Sequence, residues 1–394
     1  MPSPPVVLQI VPALQTGGAE RTAVDVAAAL VAEGWGAVVA SQGGRLVPEL
    51  EALGARHALL PLDTKSPLAI WRNAARIETL AREVGADLIH ARSRAPAWSA
   101  LRAARRLGVP FVTTYHGAYG QKGALKGLYN SVMARGDAVI ANSGWTKALI
   151  EERHPFARGR IVAIGRGTDF ARFDPAGTAA RDAAALRTAW NVAPGARVIL
   201  HLARLTGWKG QTVVVEAARL LKAGGLLPDD VVFVLAGDAQ GRDGYREGLW
   251  RAIDDAGLAD RFRLPGHCDD PAAAMAAAAV AVVASTEPEA FGRAAVEAQA
   301  MAVPVVVTRL GAVEETVLAE PEVAARDASG IKVAPGNAGE LADALSRLLS
   351  LPDGERARMG ANGSRHVRAR YSLERMTGET IAVYRRLLGH REGR

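Results

Sequence analysis

Two carboxylates, Glu289 and Glu297, stand eight residues apart in a run that carries more chemistry than any other in the chain. Residues 286–306 read Thr-Glu-Pro-Glu-Ala-Phe-Gly-Arg-Ala-Ala-Val-Glu-Ala-Gln-Ala-Met-Ala-Val-Pro-Val-Val. The alanine-rich stretch after Gly292 predicts a helix, and Val303–Thr308 predicts an apolar strand. Glu289 then lies in the loop entering the helix, and Glu297 about one turn inside it. Free backbone amides and the positive end of the helix dipole meet at that loop, which is where a diphosphate would rest. A carboxylate beside an anion site is costly unless it holds something else, and sugar hydroxyls are such a partner. The run reads as a site for a sugar joined to a phosphate.

A second segment, residues 202–210, reads Leu-Ala-Arg-Leu-Thr-Gly-Trp-Lys-Gly at the end of a predicted strand. Arg204 and Lys209, across a glycine turn, can converge on one diphosphate, the arginine as a bidentate clamp and the lysine as a point charge. Alone they read as two solvated surface cations; beside the glutamate pair the shared-site reading is the stronger. A third segment, residues 15–21, reads Gln-Thr-Gly-Gly-Ala-Glu-Arg after the first predicted strand. Gly17 and Gly18 would let a ligand phosphate approach backbone amides closely, although most such glycine pairs are plain turns. The spacing is not Gly-x-Gly-x-x-Gly, which disfavours a nicotinamide dinucleotide. No Asp-x-Asp pair and no His/Cys cluster at metal-ligand spacing occurs. Charge on a bound diphosphate is therefore expected to be met by Arg204, Lys209 and the helix amino terminus, with no metal and no cofactor. Preorganised donors of this kind each supply about 2.7–4 kcal/mol of transition-state stabilisation.

Positioning such groups requires parallel sheets. Short apolar runs alternate with helix-length alanine and leucine segments, the pattern of crossover helices. Predicted strands in the first half are Val6–Val11, Ala37–Ser41, Asp87–His90, Phe111–Thr114, Ala138–Ala141 and Ile161–Ile164. In the second half they are Val198–Ala203, Val231–Ala236, Ala279–Ala284 and Val303–Thr308. Residues 272–281 read as an alanine helix running into a strand. Asp174, Pro175 and Gly177 mark Thr168–Thr178 as an interdomain linker. The expected organisation is α/β, two tandem doubly wound domains over 1–170 and 171–371 facing a central cleft. A helix within 372–394 is expected to cross back to the first domain. A chain of 394 residues suits two domains, and 49% apolar residues suffice for two interiors. No apolar run approaches the roughly 18 residues of a membrane span. The start, Met-Pro-Ser-Pro-Pro, lacks the charged region of a signal peptide, and the lone Cys268 suits a reducing cytosol.

Charge is uneven. Residues 1–170 carry 20 Lys and Arg against 13 Asp and Glu, and the remainder is balanced, so the net +7 is amino-terminal. Its densest part is Arg92, Arg94, Arg102, Arg105, Arg106, Lys122 and Lys126, interleaved with Trp98, Leu101 and Tyr119. This is either a solvated helix face or a surface that meets anionic lipid or a phosphorylated acceptor. Nucleic acid is disfavoured, because no recognition motif accompanies the patch.

Gly17-Gly18-Ala19-Glu20-Arg21, Arg204 with Lys209-Gly210, and Glu289-x7-Glu297 with its following Ala-Gln-Ala-Met-Ala-Val-Pro-Val-Val together resemble the retaining glycosyltransferases of family 4, of the GT-B fold. The resemblance runs in order over nearly the whole chain. It implies that Arg204 and Lys209 neutralise the leaving nucleotide diphosphate and that Glu289 holds donor-sugar hydroxyls. It also implies that the backbone of Ala290, Phe291 and Gly292 contacts sugar and phosphate, and that Glu297 binds ribose hydroxyls. His116, in Thr-Tyr-His-Gly, matches the family's active-site histidine, which contacts the donor sugar. Gly266-His267-Cys268-Asp269 resembles the segment that reads the nucleobase. Arg21, His90 and Arg92 are the acceptor-side candidates. Without the resemblance, His116 and His90 read as strand-end histidines capping local backbone, His267 as an ordinary loop residue and Asp238 as a turn residue. Arg166-Gly167-Thr168-Asp169 departs from the family's Asn-Gly-Val/Ile-Asp, which is expected to keep the loop and alter interdomain or acceptor contacts.

The resemblance implies metal-independent, retaining transfer of a hexose-type sugar from a nucleotide diphosphate, UDP by default, to a hydroxyl acceptor. The expected acceptors are lipid-linked or lipopolysaccharide-type, capsule or exopolysaccharide intermediates at the cytosolic face of the plasma membrane. Two other readings use the same residues: a nucleotide-sugar 2-epimerase of the same shape, and a non-catalytic nucleotide-sugar-binding scaffold of an envelope-assembly complex.

Overall fold

Short aliphatic strands, buried on both faces except at the sheet edges, form two all-parallel sheets, as the near-continuous Val/Ile/Leu/Ala runs of the central strands require. The protein is described from a computed structural model, which covers residues 4–15, 17–64, 66–120, 123–177 and 179–392. The first sheet comprises β1 (Val6–Ile10), β2 (Gly36–Ser41), β3 (Arg56–Leu59), β4 (Leu88–Ala91), β5 (Phe111–Tyr115), β6 (Ala138–Ala141) and β7 (Ile161–Ala163). Its order is β3-β2-β1-β4-β5-β6-β7. The second comprises β8 (Arg197–Leu202), β9 (Val231–Ala236), β10 (Phe262–Gly266), β11 (Val280–Val283), β12 (Val305–Thr308) and β13 (Gly330–Val333), in the order β10-β9-β8-β11-β12-β13. In each sheet the chain first builds outward one way, then returns to the other side of its first strand, at β1/β4 and at β8/β11. Ligands of doubly wound sheets bind beyond the strand carboxyl ends at such switch points.

The chain divides into two compact units, Met1–Gly167 with Leu373–Arg394, and Thr168–Ser372. The final helix, Leu373–Glu392, belongs to the first unit, where Met376, Ile381, Val383 and Tyr384 join the core beside β1 and β6. The segment expected as a linker begins at the boundary between the units. Residues 168–177 are packed onto the second unit: Phe173 is buried in its core, and Arg368 donates to the Phe173 carbonyl at 3.0 Å. Thr168 pairs with Ser372 in a parallel bridge. Thr178 lies outside the described residues.

Three strands were not foreseen, β3, β10 and β13, and each is at a sheet edge. Edge strands need no continuous aliphatic run, and these carry Arg56 and His57, Pro265, and Lys332. The alanine helix is shorter than expected, Pro271–Ala276, and Asp270 caps it by accepting from the amides of Ala272 and Ala273 at 3.0 and 3.2 Å. Among the described residues, no helix is long and apolar enough to cross a membrane.

Candidate functional site

The loops after β8 and β11 are stitched together. Gly210, at φ +76°, sits so close to the end of β11 that a Cβ there would lie 1.9 Å from the Ala284 carbonyl oxygen, so no other residue closes this turn. The Thr286 amide donates to the Trp208 carbonyl at 2.7 Å. As a result Lys209 Nζ lies 2.7 Å from Glu289 Oε1, and Ser285 Oγ donates to the same oxygen at 2.5 Å. The two charged side chains are 16% and 13% exposed. The ammonium also stands 4.3 Å from the centre of the Trp208 ring.

The Glu289 loop is pinned on its other side. The Ala312 amide donates to the Glu289 carbonyl at 2.9 Å, and Glu289 bridges to Gly311. Phe291 is buried edge-on to Tyr371, 5.2 Å between ring centres, so its side chain anchors the loop while half-buried Ala290 precedes it. Gly292, at φ +86°, passes within 2.8 Å (Cβ position) of a Val313 methyl and opens the helix Arg293–Ala300. Within that helix Glu297 is buried and receives Arg293 through Nη2 at 2.7 Å and Nε at 3.2 Å. The i,i+4 spacing puts the two side chains on one face. Arg293 was missed in the sequence, although that spacing was there to read.

Arg204 leaves the same strand end with its guanidinium exposed, donating to Gln240 Oε1 at 3.4 Å. Its carbonyl is fixed by Gln211 Nε2 at 2.9 Å. His267 follows β10 with an exposed ring 3.2 Å from Asp269. Below Lys209, in β8, His201 is buried and donates Nδ1–H to the Val282 carbonyl at 2.9 Å. Burial pushes its pKa down to about 4.

In the first unit, the ends of β5, β6 and β7 bring His116, Asn142 and Arg166 forward. Arg166 Nη2 donates to His116 Nδ1 at 3.1 Å. A guanidinium only donates, so Nδ1 is the acceptor and the ring proton sits on Nε2. Burial first, then the charges of Arg166 and Arg92, hold this imidazole well below the usual histidine range. His116 is therefore a neutral donor through Nε2, which has no partner among the described atoms.

Several expected contacts are spent inside the protein. His90 is fully buried, with Nδ1 at 2.5 Å from the Tyr384 hydroxyl and Nε2 at 2.7 Å from Thr114 Oγ1, so it ties β4 and β5 to the final helix instead of meeting an acceptor. Arg92 is buried, with Nε and Nη2 on Gln9 Oε1 at 2.9 and 2.7 Å; it acts by its field, not by surface contact. Arg21 is ion-paired with Glu49, whose carboxyl it holds below the usual range. The Gly17 amide donates to Glu20 Oε2 at 3.1 Å. Gly18 begins the helix Gly18–Ala32, and Thr16 lies outside the described residues. In the basic patch, Arg105 pairs with Asp137 and Arg106 with Glu78, while Arg94 lies over Tyr119 and Arg102 over Trp71. Lys126 is exposed; Lys122 lies outside the described residues.

Comparison with known proteins places this geometry. The family model for Glycosyltransferase Family 4 matches residues 16–172, and that for Glycosyl transferases group 1 matches residues 182–366. The chain is similar to a glycosyltransferase of Rickettsia africae: its crystal structure superposes with a TM-score of 0.87 at 31% identity, over 98% of this chain and 99% of that one. It shares the fold of Anabaena Alr3699/HepE, solved in complex with UDP and glucose, with a TM-score of 0.80 at 24% identity over 96% and 98% of the two chains. Among curated proteins it is 29% identical over 260 residues, 66% of its length, to the D-inositol 3-phosphate glycosyltransferase of Mycobacterium tuberculosis, and spans 50% of that relative's length. Two parallel doubly wound units and matches over both halves lead to one conclusion: the chain has the GT-B fold and belongs to glycosyltransferase family 4.

Proposed function

We propose that the protein is a retaining, metal-independent glycosyltransferase that moves a sugar from a nucleotide diphosphate, with UDP as the nucleotide, to a hydroxyl acceptor of the cell envelope. The observation that carries this reading is the joining of Lys209 to Glu289 at 2.7 Å across the β8 and β11 loops. It sets a cation and a sugar-binding acid at one point, directly before the helix whose buried Glu297 suits ribose hydroxyls. The UDP and glucose held by the Anabaena protein are in keeping with that ligand.

In this reading the second unit binds the donor. Lys209, Arg204 and the amides opening the helix Arg293–Ala300 meet the charge of the departing diphosphate in place of a divalent cation. Glu289 orients the sugar. The acceptor oxygen attacks on the face that the nucleotide leaves, through an oxocarbenium-like state, and the departing phosphate takes its proton. The name of the mycobacterial relative supports a phosphorylated polyol as one acceptor class. Incubation with UDP-, GDP- and ADP-sugars tests the proposal, with proton NMR of the product's anomeric centre. An α-linked product from an α-linked donor, formed in EDTA, is expected. An inverted product, a requirement for added metal, or interconversion of the donor without acceptor overturns it.

The reading includes peripheral attachment to an anionic membrane face. Leu68, Trp71, Leu125 and Leu128 are exposed on the helices Pro67–Val84 and Ala124–Asn130, beside Arg102 and Lys126. Apolar and aromatic tips among cations suit the interface of an anionic bilayer. Vesicles containing anionic lipid should retain the protein at low salt and release it at high salt. Equal retention by neutral vesicles removes the electrostatic part of the proposal.

A further inference from the structure

We infer that Arg293 is a positioning residue that clamps one oxygen of Glu297 and so holds the other for a ribose hydroxyl. It thereby sets a preference of the second unit for ribonucleotides over deoxyribonucleotides. The inference rests on the proposed nucleotide-sugar reading for the ligand, and on the helix Arg293–Ala300 for the geometry.

The helix is almost wholly interior: Ala295, Val296, Ala298, Gln299 and Ala300 are buried along with Glu297. Gln299 is served within the protein, its Nε2 donating to the carbonyls of Ala295 and Thr316 at 3.0 and 2.8 Å. A buried carboxylate needs partners as well. Arg293 supplies them unevenly. An arginine that pairs bidentately with a carboxylate commonly sets one N–H on each oxygen. Here Nη2 at 2.7 Å and Nε at 3.2 Å both reach Oε1. A carboxylate accepts about four hydrogen bonds, and among the described residues none reaches Oε2. The acid is fixed at one corner and open at the other.

Helix stability alone does not account for the pair. Arg293 opens the helix directly after Gly292, where the dipole disfavours a cation. An arginine four residues before a glutamate is also the weaker order of an i,i+4 pair. What the arrangement achieves is direction. The terminal torsion of a glutamate is broad, so an unclamped carboxylate turns freely. Two N–H groups on Oε1 remove that freedom and leave Oε2 facing one way. A hydroxyl of the ribose diol donates to such an oxygen in a short, charge-assisted bond. A deoxyribose has no hydroxyl to give there, and the oriented acceptor is left unpaired. Glu297 is thus the group that meets the sugar of the nucleotide, and Arg293 acts through it.

Calorimetric titration tests the role, with UDP and GDP and the 2′-deoxy and 3′-deoxy form of each as probes. The proteins are wild type, Arg293→Met, Arg293→Lys, Glu297→Gln and the double variant Arg293→Met/Glu297→Gln, with thermal melts to certify the fold of each. The readout is the ratio of ribo to deoxy affinity, because losing a cation beside a diphosphate weakens both forms alike. Wild type should prefer the ribonucleotide to at least one deoxy form by about tenfold or more. Arg293→Met should cut that preference to about threefold or less, and Arg293→Lys should recover part of it. Glu297→Gln should lose it too, and the double variant should lose no more than Glu297→Gln alone. No preference in wild type, an unchanged preference in Arg293→Met, or a further loss in the double variant overturns the inference. Tighter nucleotide binding by Arg293→Met also overturns it, since the pair would then be a block that the ligand must break. A wild type that binds neither UDP nor GDP sinks the nucleotide reading and the inference with it, whereas a ribose preference indifferent to Arg293 sinks the inference alone.

Discussion

Lys209→Met separates a structural role of the lysine from a chemical one. Methionine keeps an apolar stem near the Trp208 ring and removes the charge. Glu289, 13% exposed, is then left with Ser285 and without its cation. Breaking one side of a fully buried pair costs about 3–5 kcal/mol, and losing a charged hydrogen bond about 1.5–3 kcal/mol. With both groups slightly open to water, about 2–3 kcal/mol is expected for the second unit. Adding Glu289→Gln removes the stranded charge, so the double variant should regain most of that stability. Turnover should behave otherwise. Losing the cation at the departing diphosphate should cost about 2.7–4 kcal/mol, roughly 10²- to 10³-fold in kcat, and the second substitution restores none of it. Urea denaturation of wild type, both single variants and the double variant, alongside initial rates, gives the full cycle. Recovery of activity together with stability in the double variant would refute the chemical role and leave Lys209 a packing residue.

Two further predictions concern the scaffold of the site. Gly210→Ala forces a Cβ to 1.9 Å from the Ala284 oxygen in a left-handed turn, so a loss of about 3 kcal/mol and of donor binding is expected in thermal melts; a variant as stable as wild type would show that the turn can open without cost. His201 titrates near 4 in the fold and near 6.5 when unfolded, so the unfolded chain takes up protons first as pH falls. Its contribution is whole above pH 6.5 and is lost by about pH 4, a span worth about 3 kcal/mol, and His201→Gln should flatten that slope in urea midpoints taken across the range. A midpoint that stays level from pH 6.5 to 4 in the wild type would argue against a neutral, buried His201.

The interior of both sheets was legible in the chain because central parallel strands must be aliphatic throughout, as in Val231–Ala236. Three of their four edges, β3, β10 and β13, were not, since Arg56, Pro265 and Lys332 are tolerated only where one side of the strand meets no neighbour, whereas the aliphatic edge strand β7 was. The glutamate run and the Arg204 segment stood out by residue type, yet their meeting depends on Gly210 against Ala284, a contact no local pattern encodes. His90 and His116 look alike in sequence, each at a strand end. They differ because Tyr384, 294 residues further on, returns to bond His90, while Arg166 bonds His116. The partner of Gly17 was local and readable: Glu20, three residues on, accepts from its amide at the start of the helix.

The central claim, that Lys209 and Glu289 jointly hold a phosphate and the sugar attached to it, is tested most directly by calorimetric binding of UDP and of UDP-glucose to wild type, Lys209→Met and Glu289→Gln. Lys209→Met should weaken both ligands. Glu289→Gln should weaken UDP-glucose about tenfold or more while leaving UDP within a factor of about two, because only the sugar meets that acid. Equal losses for both ligands in Glu289→Gln, or unchanged affinity for both in Lys209→Met, would contradict it.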